Sequence, residues 1–138
     1  MEPKFSTIER TLAAGGLFVF AAGCFVVGFF NPSNAFFFPG CPLLDLTGFA
    51  CPGCGLTRGF HALFHGDFMA ALDFNALLPF FAVSFVYLVM LLVSIAARGR
   101  GLRFTIFTPA AMWVFLALMS VFGVLRNIPV YPFDVLFP

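Results

Sequence analysis

Charge is what this sequence has least of. Seven Lys and Arg side chains and six Asp and Glu make up 9% of 138 residues and leave a net charge of +1. So even a balance offers no basic field for a phosphate backbone, which excludes nucleic acid as a partner, and no acidic tract of the kind that favours disorder. Also missing are a carboxylate dyad, a serine triad, a glycine-rich phosphate loop and a dinucleotide fingerprint, so hydrolase, kinase and dehydrogenase chemistry lack their parts. What the chain has in excess is apolar surface: 62% hydrophobic residues, 23 of them Phe, and a mean hydropathy of +1.05. A water-soluble domain of this length cannot bury so much. The solvent to consider is the bilayer.

Crossing roughly 30 Å of hydrocarbon takes about 20 helical residues, and three uncharged runs offer them, at about 11–30, 76–97 and 109–125. The fold class expected is therefore an all-α membrane protein: three transmembrane helices forming a single integral membrane domain over 1–138, with a cysteine-bearing loop and short interfacial helices at 31–75. Asn31-Pro32 closes the first span, because proline lacks the amide donor and disfavours a helical residue before it. Thr108-Pro109 opens the third as an N-cap and first-turn proline. The first run is longer than a signal-peptide core, so it reads as a retained span.

Lys4, Arg10, Arg98, Arg100 and Arg103 fall on one side of these spans, Arg58 and Arg126 on the other. The positive-inside rule places the N-terminus in the cytoplasm and the cysteine loop and C-terminus outside, in the inner membrane if the host is bacterial. That outer compartment is oxidising enough for disulfides. Within the first span Ala14, Ala21 and Gly28, with Gly16 and Gly23 alongside, form a small-residue stripe that lets another helix approach. Cys24 reads as a small packing residue there.

The long connection carries Cys41, Cys51-Pro-Gly-Cys54 and Arg58. Gly55 to Gly66 reads as a helix, since Leu56, Phe60, Leu63 and Phe64 recur at helical spacing and Gly66 is a natural stop; Asp67 then caps a second short helix running to Asn75. At 100° per residue Cys54, Arg58, His61 and His65 would share one face. A cysteine at a helix start, with an arginine one turn on, favours thiolate, which makes Cys54 the expected nucleophile and Cys51 its resolving partner. The same atoms allow another use, because Cys41, Cys51 and Cys54 with one of His61 or His65, His61 being nearer the cysteines along the chain, make a Cys3His set suited to zinc. A structural disulfide or metal, a redox-active pair and some other use of the stripe all stay open.

Arg58 near the hydrocarbon boundary calls for a partner among Asp45, Asp67 and Asp73, or for solvent or lipid phosphate. His65 on an interfacial helix has the simpler role of turning a polar edge to water. Arg126 and Asn127 share the outer side with the loop and are expected to pack against it. The proline-rich tail beyond them is too short for another spanning helix and too apolar to float free.

The motif Thr47-Gly48-Phe-Ala-Cys51-Pro-Gly-Cys54-Gly55-Leu-Thr57-Arg58, followed by Gly66-Asp67-Phe68 and Asn75, resembles the signature of small bacterial membrane proteins grouped as domain of unknown function family 2752. The Arg126-Asn127 pair resembles that family's C-terminal end, and Ala76 departs from it where members often carry proline. The resemblance implies a membrane location and no particular activity. Two functions are carried forward. The leading one is an accessory or partner-binding subunit, lodged in the lipid bilayer against another membrane protein or a larger membrane complex, whose loop is held by a disulfide or by zinc. The other is a membrane thiol-disulfide oxidoreductase using Cys51 and Cys54. An independent enzyme is the lesser reading, and charge-free spans speak against a channel.

Overall fold

The computed structural model describes residues 5–34, 38, 40–102 and 108–136. Lys4 and Arg103 of the topology count, and most of the Phe-rich stretch at 35–39, lie outside the described residues. The described chain is mostly helical and contains no strand. Six helices follow in order: α1 (Thr7–Phe29), α2 (Pro42–Thr47), α3 (Leu56–Phe64), α4 (Phe68–Phe74), α5 (Leu78–Arg98) and α6 (Pro109–Leu125), with a 3-10 turn at Phe133–Leu136.

α1 and α5 are long and apolar enough to cross a membrane, and almost none of either is buried within the protein. α6 is apolar throughout but shorter, at 17 residues. α1 begins four residues before the apolar run because Ser6 and Glu9 form a capping box: the Ser6 amide donates to Glu9 Oε2 at 2.7 Å and the Glu9 amide to Ser6 Oγ at 3.4 Å. α5 begins two residues later than hydropathy suggests. Asn75 Oδ1 accepts from the Leu77 amide at 2.9 Å and the Asn75 carbonyl from the Leu78 amide at 2.9 Å, so a turn occupies the first apolar positions. α6 starts where expected, with Thr108 Oγ1 accepting from the Ala111 amide at 3.2 Å.

Two compact units make up the chain. The first holds residues 1–26 and 80–106. Within it Gly16 lets the Leu92 side chain approach, Phe20 meets Phe85 edge to face at 5.5 Å, and Arg10 donates to the carbonyls of Ala96 and Ala97 at the end of α5. Gly16 of the small-residue stripe thus lies on a helix-packing face, whereas no described residue comes within 4 Å of a β-carbon placed on Gly23.

The second unit holds residues 27–79 and 107–138. Its apolar centre is Ala62, Ala71 and Leu78, flanked by Leu56, Phe60, Leu63, Ala70 and Phe74. Gly59 makes this packing possible: a β-carbon there would strike the Leu78 side chain and lie 3.1 Å from the Ala71 carbonyl oxygen. α3 therefore packs on α4 at backbone distance. Gly66, at φ 81°, turns the chain between them in the left-handed region, and Asp67 caps α4 by accepting from the Ala70 amide at 3.0 Å.

Candidate functional site

Cys51-Pro52-Gly53-Cys54 folds into a tight turn in which the Cys54 amide donates to the Cys51 carbonyl at 3.0 Å. The turn folds the two sulfurs together, 3.3 Å apart, and the Cys51 amide also points at Cys54 Sγ at 3.2 Å. Cys41 joins them from the residue before α2, where its carbonyl accepts from the Asp45 amide at 3.0 Å. All three sulfurs lie within 4.8 Å of one another. All are free thiols, as is Cys24 in α1.

The expected stripe does not survive at its first member. Gly55 has φ 80°, a left-handed conformation open to glycine at no steric cost, and α3 begins only after it. Cys54 therefore lies outside the helical register, and its sulfur joins those of Cys41 and Cys51. The electrostatics follow the geometry. Burial, then hydrogen bonding with Cys41 and Cys51, pushes the Cys54 thiol up to about 12. The Cys41 thiol is pulled down to about 6, first by its hydrogen bond with Cys54 and next by the Leu44 amide. Burial thus works against a thiolate at Cys54, while hydrogen bonding favours one at Cys41.

The cation at the sulfurs is Arg126. It is 0% exposed, and its Nη1 donates to the carbonyls of Cys51 at 2.9 Å and Cys54 at 3.2 Å. Burial lowers its pKa and the charges of the Cys54, Cys51 and Cys41 sulfurs oppose that shift. Its guanidinium stands 5.0 Å over the Phe122 ring, while Nε and Nη2 are buried with no hydrogen-bond partner among the described residues. Asn127, next in the chain, accepts from the Ala50 amide at 2.7 Å and donates to the carbonyls of Ala50 at 2.8 Å and Gly123 at 2.7 Å. The end of α6 is thereby tied to the cysteine loop, as expected for both residues.

Arg58 is elsewhere. Its guanidinium lies 5.4 Å over the Phe74 ring, an aromatic face in place of the expected carboxylate. His61 is not brought into the sulfur cluster; its Nδ1 is 2.7 Å from the Val27 carbonyl oxygen. His65 is exposed and its Nδ1 is 2.8 Å from the His61 carbonyl oxygen. Asp67 serves as the α4 cap.

Asn75 is the residue whose role sequence reasoning passed over, since it stands there as a helix end and a member of the motif with no bond assigned to its amide. It is 1% exposed and its Nδ2 donates to the carbonyls of Pro52 at 2.9 Å and Cys54 at 3.1 Å. Asn75 and Arg126 thus hold the cysteine turn from two sides, sharing the Cys54 carbonyl. A signal was available: an asparagine just ahead of an apolar run has little reason to be there unless its amide is used. Beside Cys51, an apolar cleft of about 530 Å³ is lined by Leu43, Phe49, Met119 and Val124 among others.

No curated protein and no solved structure matches the chain. Residues 41–89, which contain the cysteine turn, Asn75 and the first half of α5, match the model of a family described as protein of unknown function (DUF2752), the family whose signature the motif carries.

Proposed function

We propose that the chain is a small three-span membrane protein whose cysteine trio holds zinc, and that this centre fixes the outer segment as a docking element for another membrane protein. The observation that carries the metal reading is the fully buried Arg126 bonded to the same turn that brings the sulfurs together. A buried cation without a counter-charge costs several kcal/mol. Zinc held by three thiolates has a net charge of −1, and Arg126 brings the centre to zero. Tetrahedral coordination with Zn–S near 2.3 Å sets sulfurs about 3.8 Å apart, so a spread within 4.8 Å closes with small side-chain rotations. A fourth position is left for water or an outside ligand.

The orientation supported by the arginine distribution puts the N-terminus in the cytoplasm and the trio outside, with α6 completing a third crossing. An accessory role is favoured by the bulk of apolar surface on α1 and α5 and by the cleft beside Cys51. Metal analysis of the detergent-purified chain, combined with counting of alkylatable thiols, tests the centre. One zinc per chain with the three clustered thiols protected and Cys24 alone alkylated supports it; no metal with all four thiols alkylated, or a disulfide with two, overturns it. Crosslinking in native membranes tests the accessory role, which a chain recovered only as a monomer would sink.

The thiol-disulfide oxidoreductase reading is favoured by one distance, the 3.3 Å between Cys51 and Cys54. In that reaction the two thiols would form an S–S bond, passing two electrons and two protons to an acceptor disulfide. Cys54 as attacking thiolate is disfavoured by its burial. Rapid alkylation of Cys54 in the metal-free protein would restore this reading.

A further inference from the structure

His61 in α3 and His65, which caps the C-terminal end of that helix, take no part in the sulfur cluster, yet their arrangement is specific. The Val27 and His61 carbonyl oxygens can only accept hydrogen bonds, so each Nδ1 facing them, at 2.7 Å on His61 and 2.8 Å on His65, carries the ring proton. In the neutral ring the other nitrogen, Nε2, then keeps its lone pair. The rings lie 4.3 Å apart between centroids, tilted 42° to each other and four residues apart in the chain. An imidazole whose far nitrogen donates to a backbone carbonyl is the usual setting of a histidine metal ligand, because that bond fixes both tautomer and ring orientation.

We infer that His61 and His65 form a second metal site, a bidentate imidazole chelate for a divalent transition ion of the zinc type, separate from the cysteine trio. Imidazole nitrogen suits zinc, copper and nickel and does not suit magnesium or calcium. No further Cys, His, Asp or Glu side chain among the described residues completes a three-ligand group with this pair, so the remaining positions belong to water or to a group brought by a ligand or partner. His65 is exposed and His61 half-buried, which leaves the pair reachable from solution. The site stands independently of what the cysteines hold.

Zinc titration of the full chain in detergent micelles against a chromophoric chelator, with magnesium as the control, tests it. The wild type should show a class of site that magnesium does not occupy and that persists in Cys51→Ser. Two variants remove one ligand each: His65→Ala at the exposed position, and His61→Asn, whose amide can still donate to the Val27 carbonyl. Because the second imidazole of a chelate acts at high effective concentration, either variant alone should weaken that class roughly a hundredfold without altering the class lost in Cys51→Ser. Absence of the class in the wild type, or its survival in either histidine variant, overturns the inference. Loss of the cysteine-dependent class alone would instead count against the centre proposed above.

Discussion

Two arginines do the same thing in the two units of this protein under opposite conditions. Arg10 in the first unit donates three hydrogen bonds at 3.0–3.2 Å to the carbonyls of Ala96 and Ala97, and it is exposed. Arg126 in the second donates two, at 2.9 and 3.2 Å, to the carbonyls of Cys51 and Cys54, and it is fully buried. By bond count Arg10 matters more. By physics it matters less, because carbonyls it releases are accessible to water, whereas the loss of Arg126 takes the Cys51 carbonyl's donor and leaves the buried Cys54 carbonyl with Asn75 alone. The number of contacts is therefore a poor guide to what holds this molecule together, and access to solvent is the better one.

The sharpest way to break that comparison is Arg126→Ala. The Cys51 carbonyl loses its Arg126 donor, the buried Cys54 carbonyl keeps only Asn75, and the sulfurs lose their nearby cation; the loss expected is about 3–5 kcal/mol, read as a fall in the unfolding temperature of the micellar protein together with exposure of Cys54 to alkylation. Arg126→Lys should recover only part of it, since a point charge does not reproduce the planar fork. A change below 1 kcal/mol in the alanine variant, on the scale of a surface substitution, would mean that burial is not what distinguishes the two arginines.

Asn75→Leu comes next, at about 1–3 kcal/mol for leaving the Pro52 carbonyl and the Leu77 amide without partners. Asn75→Asp should be worse than leucine despite its near-identical shape, because it turns a lone pair toward the carbonyls of Pro52 and Cys54 where the amide donates. The double variant with Arg126→Ala should exceed the sum, because each residue alone still donates to the Cys54 carbonyl and only the double leaves that buried acceptor without a donor. Full additivity in denaturant unfolding would show the two supports to be independent.

These two residues also mark where the sequence stops being readable. The long helices were legible because uncharged runs of membrane length have few alternatives, and α3 and α4 because Gly66 and Asp67 punctuate a helical apolar period. The cysteine trio was legible as a set of candidates, and so was the packing of Arg126 and Asn127 on the loop. What local rules missed depended on one backbone angle and on contacts far along the chain. Gly55 in the left-handed region detaches Cys54 from the α3 register, which a wheel drawn at 100° per residue cannot anticipate. Which arginine serves the sulfurs was settled by bonds spanning more than seventy residues, so the nearby Arg58 was chosen over the distant Arg126. The six-residue α2 lies below the length at which periodicity speaks.

Gly59→Ala probes the same unit through packing. The added methyl meets the Leu78 side chain and the Ala71 backbone, and backbone cannot rotate away as a side chain can. A destabilisation of about 1–3 kcal/mol is expected, with the α3–α4 amides losing protection from hydrogen exchange ahead of α5. If α5 amides open first, the close approach at Gly59 does not control this unit.

The smallest effect belongs to Arg10→Ala, and it completes the comparison. The Arg10 guanidinium sits at the C-terminal end of α5, where the last carbonyls lack intrahelical partners and the helix dipole favours a cation. Both contributions are real, but water can take over the bonds to Ala96 and Ala97, and salt screens the charge. The loss should stay below about 1 kcal/mol and shrink further as ionic strength rises. Arg126→Ala should show no such salt dependence, since mobile ions cannot enter where Arg126 lies. Measuring unfolding of both variants at low and high salt separates a screened surface contact from a buried one within a single chain. If Arg10→Ala proves the more damaging at either salt concentration, counting hydrogen bonds was the right measure after all, and the weight placed on burial at the cysteine turn would have to be withdrawn.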